Sequence, residues 1–165
     1  MPVDSVPQPI MTPPSPIVAE AADQRRLLES PDPQLAANKK LVYDMYRTVL
    51  QGGHYETVEQ FFTPGYIQHN PNVASGRDSL AAFIHGSRPQ RPIEDKLGLP
   101  LINIIAERDT VVMAFRRIEK DEAGKEYITT WFDLFRIENG KIAEHWDPAL
   151  KSAAMLKFDP NSQRR

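Results

Sequence analysis

Apolar side chains concentrate in residues 126–148, and their spacing predicts two long strands. Between positions 127 and 137 nearly every side chain is β-branched, aromatic or otherwise apolar, at even and odd positions alike. This pattern is typical of a strand that is covered on both faces. The polar exceptions are therefore informative: Asp133 lies in the first strand, and His145 and Asp147 lie in the second.

The stretch Glu138-Asn139-Gly140-Lys141 between these strands allows two hairpins, which differ in the side chains that share a face. In the first hairpin, a two-residue turn pairs the first and last residues of this stretch. Asp133 then lies opposite Trp146, and His145 faces the other way. A shift by one residue exchanges the faces of the whole second strand.

In the second hairpin, Gly140 forms a left-handed bulge and Ile137 pairs with Lys141. Asp133 then lies opposite His145. The sequence alone leaves both hairpins open, and we favour the second because it gathers the titratable groups on one face. That face also carries Trp131, Phe135 and Asp147.

Helical spacing marks the first half of the chain. Asp32-Pro33 predicts a helix start, because an aspartate N-cap precedes proline at the first helical position. Apolar residues then repeat at helical spacing from Val42 until Gly52-Gly53. The pattern further predicts a short helix over Tyr55–Phe62, a short strand over Tyr66–Asn70 and a third helix capped by Ser75.

The spacing changes to that of strands from Leu97, with strands predicted over Leu99–Glu107 and Val111–Lys120 before the central hairpin. Helices first and an antiparallel meander afterwards predict an α+β fold, in which a curved sheet folds over the helices.

Proline divides the chain into three parts. Eight of the 15 prolines fall at or before Pro33, so residues 1–32 are predicted to form a proline-rich arm. Helix formers over Ile17–Glu29 indicate one short helix within it, either a frayed leader or a segment that docks on a partner subunit. Residues 33–150 are assigned to one domain, and residues 151–165 to a polar tail.

Composition excludes several classes of function. With 20 basic and 22 acidic residues the net charge is −2, which argues against nucleic acid or an acidic membrane as partner. The absence of cysteine removes disulfides, thiol catalysis and cysteine-based metal sites. The first residues show neither a signal peptide nor a membrane span, so a cytoplasmic location is expected. No cofactor is predicted, and no metal, because the histidines and aspartates lack a compact ligand spacing on one element.

Two stretches carry a resemblance to a known family: YIQHNP at residues 66–71 and FDLFRIENGKIAEHWD at residues 132–147. With the order of elements, they resemble the SnoaL-like polyketide cyclase family of the nuclear transport factor 2-like superfamily, over residues 34–150. The resemblance implies a cone-shaped α+β barrel with an antiparallel or mixed sheet wrapped around helices. The superfamily also contains ketosteroid isomerases, dehydratases, epoxide hydrolases and domains without catalysis, so the fold indicates function only as a prior.

The resemblance implies roles for a few residues. The aspartate that ends the EHWD motif, here Asp147, is the general acid/base in such cyclases. The family position that corresponds to Asp133 faces the cavity. In ketosteroid isomerases a similar Asp-x-Phe-Arg word supplies an acid that hydrogen-bonds the substrate oxygen. His69 and Asn70 match a word that lies at the cavity mouth in relatives of the aldol-condensing type. The glutamine that often follows EHWD is absent, which weakens the transfer of any particular substrate.

Cofactor-free aldol chemistry needs a base beside a carbonyl and a donor for the enolate oxygen. Burial beside Trp131 and Phe135 would strengthen a carboxylate base, and two carboxyls in one cavity would titrate apart. We therefore predict Asp147 as base and Asp133 or His145 as oxyanion partner, acting on a small hydrophobic or aromatic carbonyl ligand. The residues predicted to contact this ligand are His69, Asn70, Trp131, Phe135 and Tyr46.

Other interpretations of these residues stay open. His145 could satisfy a buried polar group, His69 could order a turn, and Asp133 could pair with Arg116 or Arg117. The alternative functions are a non-catalytic ligand-binding or association domain and isomerase or hydratase chemistry on the same carboxylates. An epoxide hydrolase would need an arginine between two aspartates.

Strands that are apolar on both faces also predict a homodimer, because only one face can line a cavity. The residues predicted to need cover on the outer face are Phe132, Leu134, Ile142 and Trp146.

Overall fold

A computed structural model describes residues 21–158, 160 and 161. The α-helices are α1 (Ala21–Arg26), α2 (Pro33–Met45), α3 (Val58–Phe61) and α4 (Arg77–Ser87). A π-helical segment, Tyr46–Gln51, continues α2, and 3₁₀ turns cover Tyr55–Thr57 and Ala153–Met155. The strands are β1 (Phe62–Gln68), β2 (Leu101–Glu107), β3 (Thr110–Lys120), β4 (Glu126–Glu138) and β5 (Lys141–Trp146).

The five strands form one mixed sheet in the order β1-β5-β4-β3-β2. β2, β3, β4 and β5 pair antiparallel in sequence order, and β1 pairs parallel with β5 at the edge. The sheet curves over the helices, so the predicted α+β class and the order of its elements are confirmed. No helix in the described part of the chain is long and apolar enough to cross a membrane.

The core lies between the inner face of the sheet and helix α2. Asp32 caps this helix as predicted: its Oδ1 accepts hydrogen bonds from the backbone N–H groups of Gln34 and Leu35. Val42, Met45 and Val49 are fully buried and pack on the sheet. The helix therefore anchors the wall of the domain that faces strands β3 and β4.

Strand β1 begins earlier than the sequence pattern indicates. The predicted helix over Tyr55–Phe62 ends at Phe61, and Phe62 already pairs with Ile142 of β5. Pro64 lies within the strand, which is possible because β1 is an edge strand and one missing N–H costs no pairing on the open side. Ser75 does not cap α4; Gly76 takes that position.

The hairpin between β4 and β5 has a two-residue turn, so the predicted three-residue loop is wrong. Glu138 pairs with Lys141, and Asn139 and Gly140 both have positive φ, 51° and 73°. These are the backbone conformations that a type I′ turn requires.

A bulge directly after this turn shifts β5 by one residue, so that its side chains from Glu144 onward face the sides of the sheet that the predicted loop would have given them. Ile137 pairs with Ile142, but Arg136 pairs with Glu144, so Ala143 is an extra residue in β5. His145 therefore pairs with Phe135 rather than with Asp133 as predicted. It still lies on the same face as Asp133, two residues along β4.

The bulge also corrects one prediction for the outer face. Ile142 pairs with Ile137 on the inner face and is fully buried in the core. It therefore does not belong to the outer surface on which the sequence pattern had placed it.

The part of the arm that the structure describes packs on its own domain. The Gln24 side chain of α1 is buried; its Nε2 donates to the backbone oxygen of Leu97 (3.0 Å), and its Oε1 accepts from the Tyr43 hydroxyl (2.6 Å) and from the Leu97 N–H (2.9 Å). The first four residues of the predicted helix, 17–20, lie outside the described residues. Docking on a partner subunit stays a prediction.

Candidate active site

A cavity of about 900 Å³ opens between the inner face of the sheet and the helices. This volume lies in the range of small-molecule sites. Its apolar lining comes from both layers of the fold and includes Met45, Leu50, Phe62, Leu80, Phe83, Leu99, Phe115 and Phe135. The predicted residues Tyr46, Asn70, Trp131, Asp133, His145 and Asp147 also line it.

Asp133 lies in the wall of this cavity and accepts hydrogen bonds from three side chains. The Tyr46 hydroxyl donates to Oδ2, and the Trp131 indole N–H donates to Oδ1 at 3.1 Å. His145 Nε2 lies 3.0 Å from the same Oδ1. Asp133 is 4% exposed, and the predicted alternative of an ion pair with Arg116 or Arg117 is not formed. These neighbours are hydrogen-bond donors, so the Asp133 carboxylate acts as a hydrogen-bond acceptor in this network.

The proton on His145 Nδ1 follows from the network behind it. Gln68 Oε1 accepts the Asn70 backbone N–H at 2.9 Å, so this atom is the oxygen of the amide. His145 Nδ1 lies 2.8 Å from Gln68 Oε1 and must therefore donate. The hydrogen bond between His145 Nε2 and Asp133 then needs a further proton between those two atoms. The imidazole ring stacks on Phe135, with ring centroids 4.7 Å apart.

Asp147 follows the end of β5, and its carboxylate is held from two sides. The Asn70 side-chain amide donates to Oδ2 at 2.7 Å, and the Ala149 N–H donates to Oδ1 at 3.0 Å. His145 Nε2 lies 4.0 Å from Oδ2, and the Asp147 side chain is 5% exposed. The three polar exceptions in the sequence thus converge on one wall of the cavity.

Two residues of this network, Gln68 and Tyr66, were missed by the sequence analysis. Because Gln68 Oε1 is an acceptor, its Nε2 is the donor to the Tyr66 hydroxyl oxygen, at 3.0 Å. The Tyr66 hydroxyl proton must then point elsewhere, and no described side chain or backbone oxygen accepts it. The signal was present, since both residues belong to the YIQHNP word and alternate along β1, but only the coordinates show the direction of each hydrogen bond.

Both cavity tyrosines are held in the neutral form. Burial, followed by the charge of Asp133, raises the pKa of Tyr46 well above its usual value. Burial, followed by the charges of Asp147 and Asp133, likewise raises the pKa of Tyr66 far above its usual value. Each hydroxyl therefore keeps its proton and can donate. Tyr46 donates to Asp133, whereas the donor of Tyr66 is available to a molecule in the cavity.

His69 is not brought into the cavity. Its side chain is 40% exposed, its Nε2 contacts Glu144 Oε1 at 2.7 Å, and its ring stacks on Trp146 on the outer face of the sheet. The alternation of β1 explains this position, because Tyr66 and Gln68 face inward. The contact with His69, followed by the one with Arg136, lowers the pKa of Glu144.

Asp133, His145 and Asp147 are also the set of described side chains that could hold a metal ion. One ligand atom from each lies within 4.8 Å of the others. Within the described residues, no single element carries a compact ligand set, as the sequence indicates, but the pairing of β4 with β5 brings these residues together. A proton between His145 and Asp133 explains the short distance between their atoms without a metal ion. The absence of a metal stays a prediction.

The chain belongs to the SnoaL-like domain family, whose model matches residues 42–145. Among solved structures, a candidate SnoaL-like polyketide cyclase from a Jannaschia species is similar at 19% identity and a TM-score of 0.50, covering 73% of this chain and 91% of that one. A nuclear transport factor 2-like protein of unknown function from Burkholderia pseudomallei is similar at 18% identity and a TM-score of 0.50, covering 74% and 97%. These likenesses show the fold.

A third similar structure is an epoxide hydrolase from M. tuberculosis, at 13% identity and a TM-score of 0.49, covering 67% of this chain and 80% of that one. A similarity at this level does not indicate a shared function. A search of curated proteins finds no match to this sequence.

Proposed function

We propose that this protein catalyses cofactor-independent acid/base chemistry on a small hydrophobic carbonyl compound, of the aldol-condensation or cyclisation type. The observation that carries the proposal is the convergence of Asp133, His145 and Asp147 on one wall of an apolar cavity. A pocket with an apolar lining and a few convergent polar groups is the usual form of a catalytic site.

Asp147 is the proposed general base. Its carboxylate is nearly excluded from water, and the donors Asn70 and Ala149 fix its orientation. Each oxygen accepts one of these hydrogen bonds, which leaves a lone pair on each for a substrate proton. A carboxylate oriented in this way can take a proton from a carbon next to a carbonyl group.

Two donors are proposed for the oxygen that becomes negative. Tyr66 offers the hydroxyl proton that no described residue accepts. The Nε2 proton of His145, which Asp133 already accepts at 3.0 Å, would be shared with the substrate oxygen as a three-centre hydrogen bond. Asp133 holds the imidazole in place and stabilises its charge. Donors placed in a water-poor site stabilise a developing oxyanion strongly, because they need no reorganisation during the reaction.

The proposed step balances without a further reactant. Asp147 takes the proton, and the electrons of the broken C–H bond form an enolate whose oxygen is held by Tyr66 and His145. The enolate carbon then attacks a second carbonyl carbon, a C–C bond forms, and the new alkoxide takes the proton back from Asp147. Isomerisation would use the same first step with reprotonation at another carbon.

The first step can be tested without knowing the natural substrate. In D₂O, without added metal or nucleotide, the protein should speed the exchange of α-protons of 1-indanone or ethyl benzoylacetate, followed by proton NMR. Exchange no faster than in buffer, with ligand binding retained across a panel of such ketones, would support the alternative of a non-catalytic binding domain. Epoxide hydrolysis is disfavoured, because neither cavity aspartate contacts an arginine among the described residues.

We also propose that the chain forms a homodimer through the outer face of the sheet. On this face Phe132 pairs with Ala114 across the strands, and Ile128 pairs with Ile118. The large apolar side chains exposed here include those of Ile67, Ile105, Ile118, Ile128 and Phe132. A cluster of apolar side chains on one face is typical of an interface, and a two-fold pair is the commonest closure.

Replacing Phe132 by glutamate should shift the protein to the monomer, because the charge would be buried in the proposed interface. Sedimentation velocity at micromolar concentration measures this directly. Leu156→Glu is the matched control, since Leu156 is exposed outside the sheet and its replacement should leave the dimer intact. A wild-type protein that sediments as a monomer would refute the proposal.

A further inference from the structure

The exposed part of the cavity lining is basic, in contrast to its acidic interior. Arg88, Arg91, Arg116 and Arg117 line the cavity, and Glu94 is the one carboxylate among the exposed described residues of the lining. The two aspartates of the lining lie deeper, around His145. An opening with several arginines attracts anions and raises their local concentration.

The loop that carries Arg88 and Arg91 is fixed to the segment after the π-helix. Arg88 Nη1 donates to the Leu50 backbone oxygen at 3.0 Å, and the Arg91 N–H donates to the Gly52 oxygen at 2.8 Å. His54 Nε2 in turn donates to the Arg91 oxygen at 2.8 Å.

Close packing under the same loop requires a glycine. Gly53 has a φ of +72°, and a Cβ at this position would lie 2.6 Å from the Pro89 oxygen. The backbone that carries the two arginines is therefore held in one position. A charged group entering the cavity meets a preformed opening.

Of these four arginines, Arg117 alone has a carboxylate partner among the described residues. Arg117 pairs with Glu119, and its guanidinium lies over the Trp131 ring, 4.0 Å from the centroid. Arg116 Nε is buried and has no hydrogen-bond partner among the described residues. Arg88 and Arg91 form no ion pair with any described carboxylate. The guanidinium groups of Arg88 and Arg91, two exposed residues of the lining, are therefore available to a ligand.

We propose that the ligand of this cavity is an anion, a compound whose apolar body carries a carboxylate or phosphate group that binds at Arg88 and Arg91. A guanidinium presents paired N–H donors that match both groups. This inference rests on the proposed function in one respect, that the carbonyl of the same ligand lies at Asp147 and His145. The arginines at the exposed part of the cavity then determine the direction in which the ligand binds.

The test compares an acid with its neutral ester. Binding of 4-oxo-4-phenylbutanoate and of its methyl ester is followed by quenching of tryptophan fluorescence, since Trp131 lines the cavity. The acid should bind about tenfold more tightly than the ester at low salt, and added NaCl should remove most of this preference. Acetoacetyl-coenzyme A in the same assay separates a phosphate-bearing carrier from a free carboxylate as the source of the anion.

Arg91→Gln should weaken binding of the acid several-fold and leave binding of the ester unchanged. Arg108→Gln is the matched control, because Arg108 is exposed in the turn between β2 and β3 and does not line the cavity. Equal affinity of the wild type for acid and ester, or equal losses in the two variants, would overturn the inference.

The outcome is separable from that of the proposed function. Preferential binding of the acid without α-proton exchange would refute the proposed catalysis and leave the anion site standing. Exchange of the α-protons of the ester, with no preferential binding of the acid, would support the proposed catalysis and refute the anion site.

Discussion

Asp147→Asn should lower the rate of α-proton exchange by ~10²–10⁴-fold, the loss that is usual when a general base is removed. The asparagine amide has nearly the shape of the carboxylate but cannot take the proton. Ligand affinity should change little, because the side chain still fills the same space between Asn70 and Ala149. Exchange followed by NMR gives the rate, and fluorescence quenching gives the affinity.

Two controls make this result specific. Asp78→Asn removes an aspartate whose side chain is fully exposed and does not line the cavity, so its exchange rate should equal that of the wild type. Thermal unfolding reports the cost of the one hydrogen bond that the amide cannot accept, about 1 kcal/mol. An unchanged exchange rate in Asp147→Asn would remove this residue from the mechanism.

Tyr66→Phe should lower the exchange rate by ~10²–10³-fold, as expected for the loss of one donor to a developing oxyanion. The change removes a single oxygen atom and with it the hydroxyl proton that no described residue accepts. Binding of the ligand should fall less than turnover, because the donor matters most when the oxygen becomes negative.

Tyr46→Phe is the matched comparison. Both hydroxyls are buried and line the cavity, but the proton of Tyr46 is already donated to Asp133. Its loss should therefore reduce turnover less than the loss of the Tyr66 hydroxyl, and act through the position of Asp133. Equal effects of the two substitutions, at equal stability, would show that Tyr66 has no separate role as a donor.

Unfolding measurements are needed for both tyrosine variants, because each leaves a buried partner without its hydrogen bond. In Tyr66→Phe the Gln68 amide loses its acceptor, and in Tyr46→Phe Asp133 loses a donor. Costs of this kind are about 1–3 kcal/mol. Turnover compared well below the unfolding transition separates the chemical effect from the loss of folded protein.

Much of the candidate site could be predicted from the sequence, because its polar residues interrupt an otherwise apolar pattern. Asp133, His145 and Asp147 stood out for that reason, and all three line one cavity. The prediction of the hairpin was less successful. The predicted turn was wrong, although His145 lies on the predicted face of the sheet. The type I′ turn and the bulge at Ala143 together shift β5 by an even number of residues relative to the predicted loop, and an even shift leaves each side chain on the same face.

Local sequence determined the elements of this protein, their order and the membership of the family, since periodicity, N-caps and turn residues act over a few neighbouring positions. Tertiary structure alone decided three features. The bulge placed Ile142 in the core, and the alternation of an early-starting β1 turned His69 outward and Tyr66 and Gln68 inward. The packing of separate elements also brought arginines of one loop and one strand into the lining of the same cavity. Each depends on contacts between residues far apart in the chain, whose register and hydrogen-bond direction no local pattern specifies.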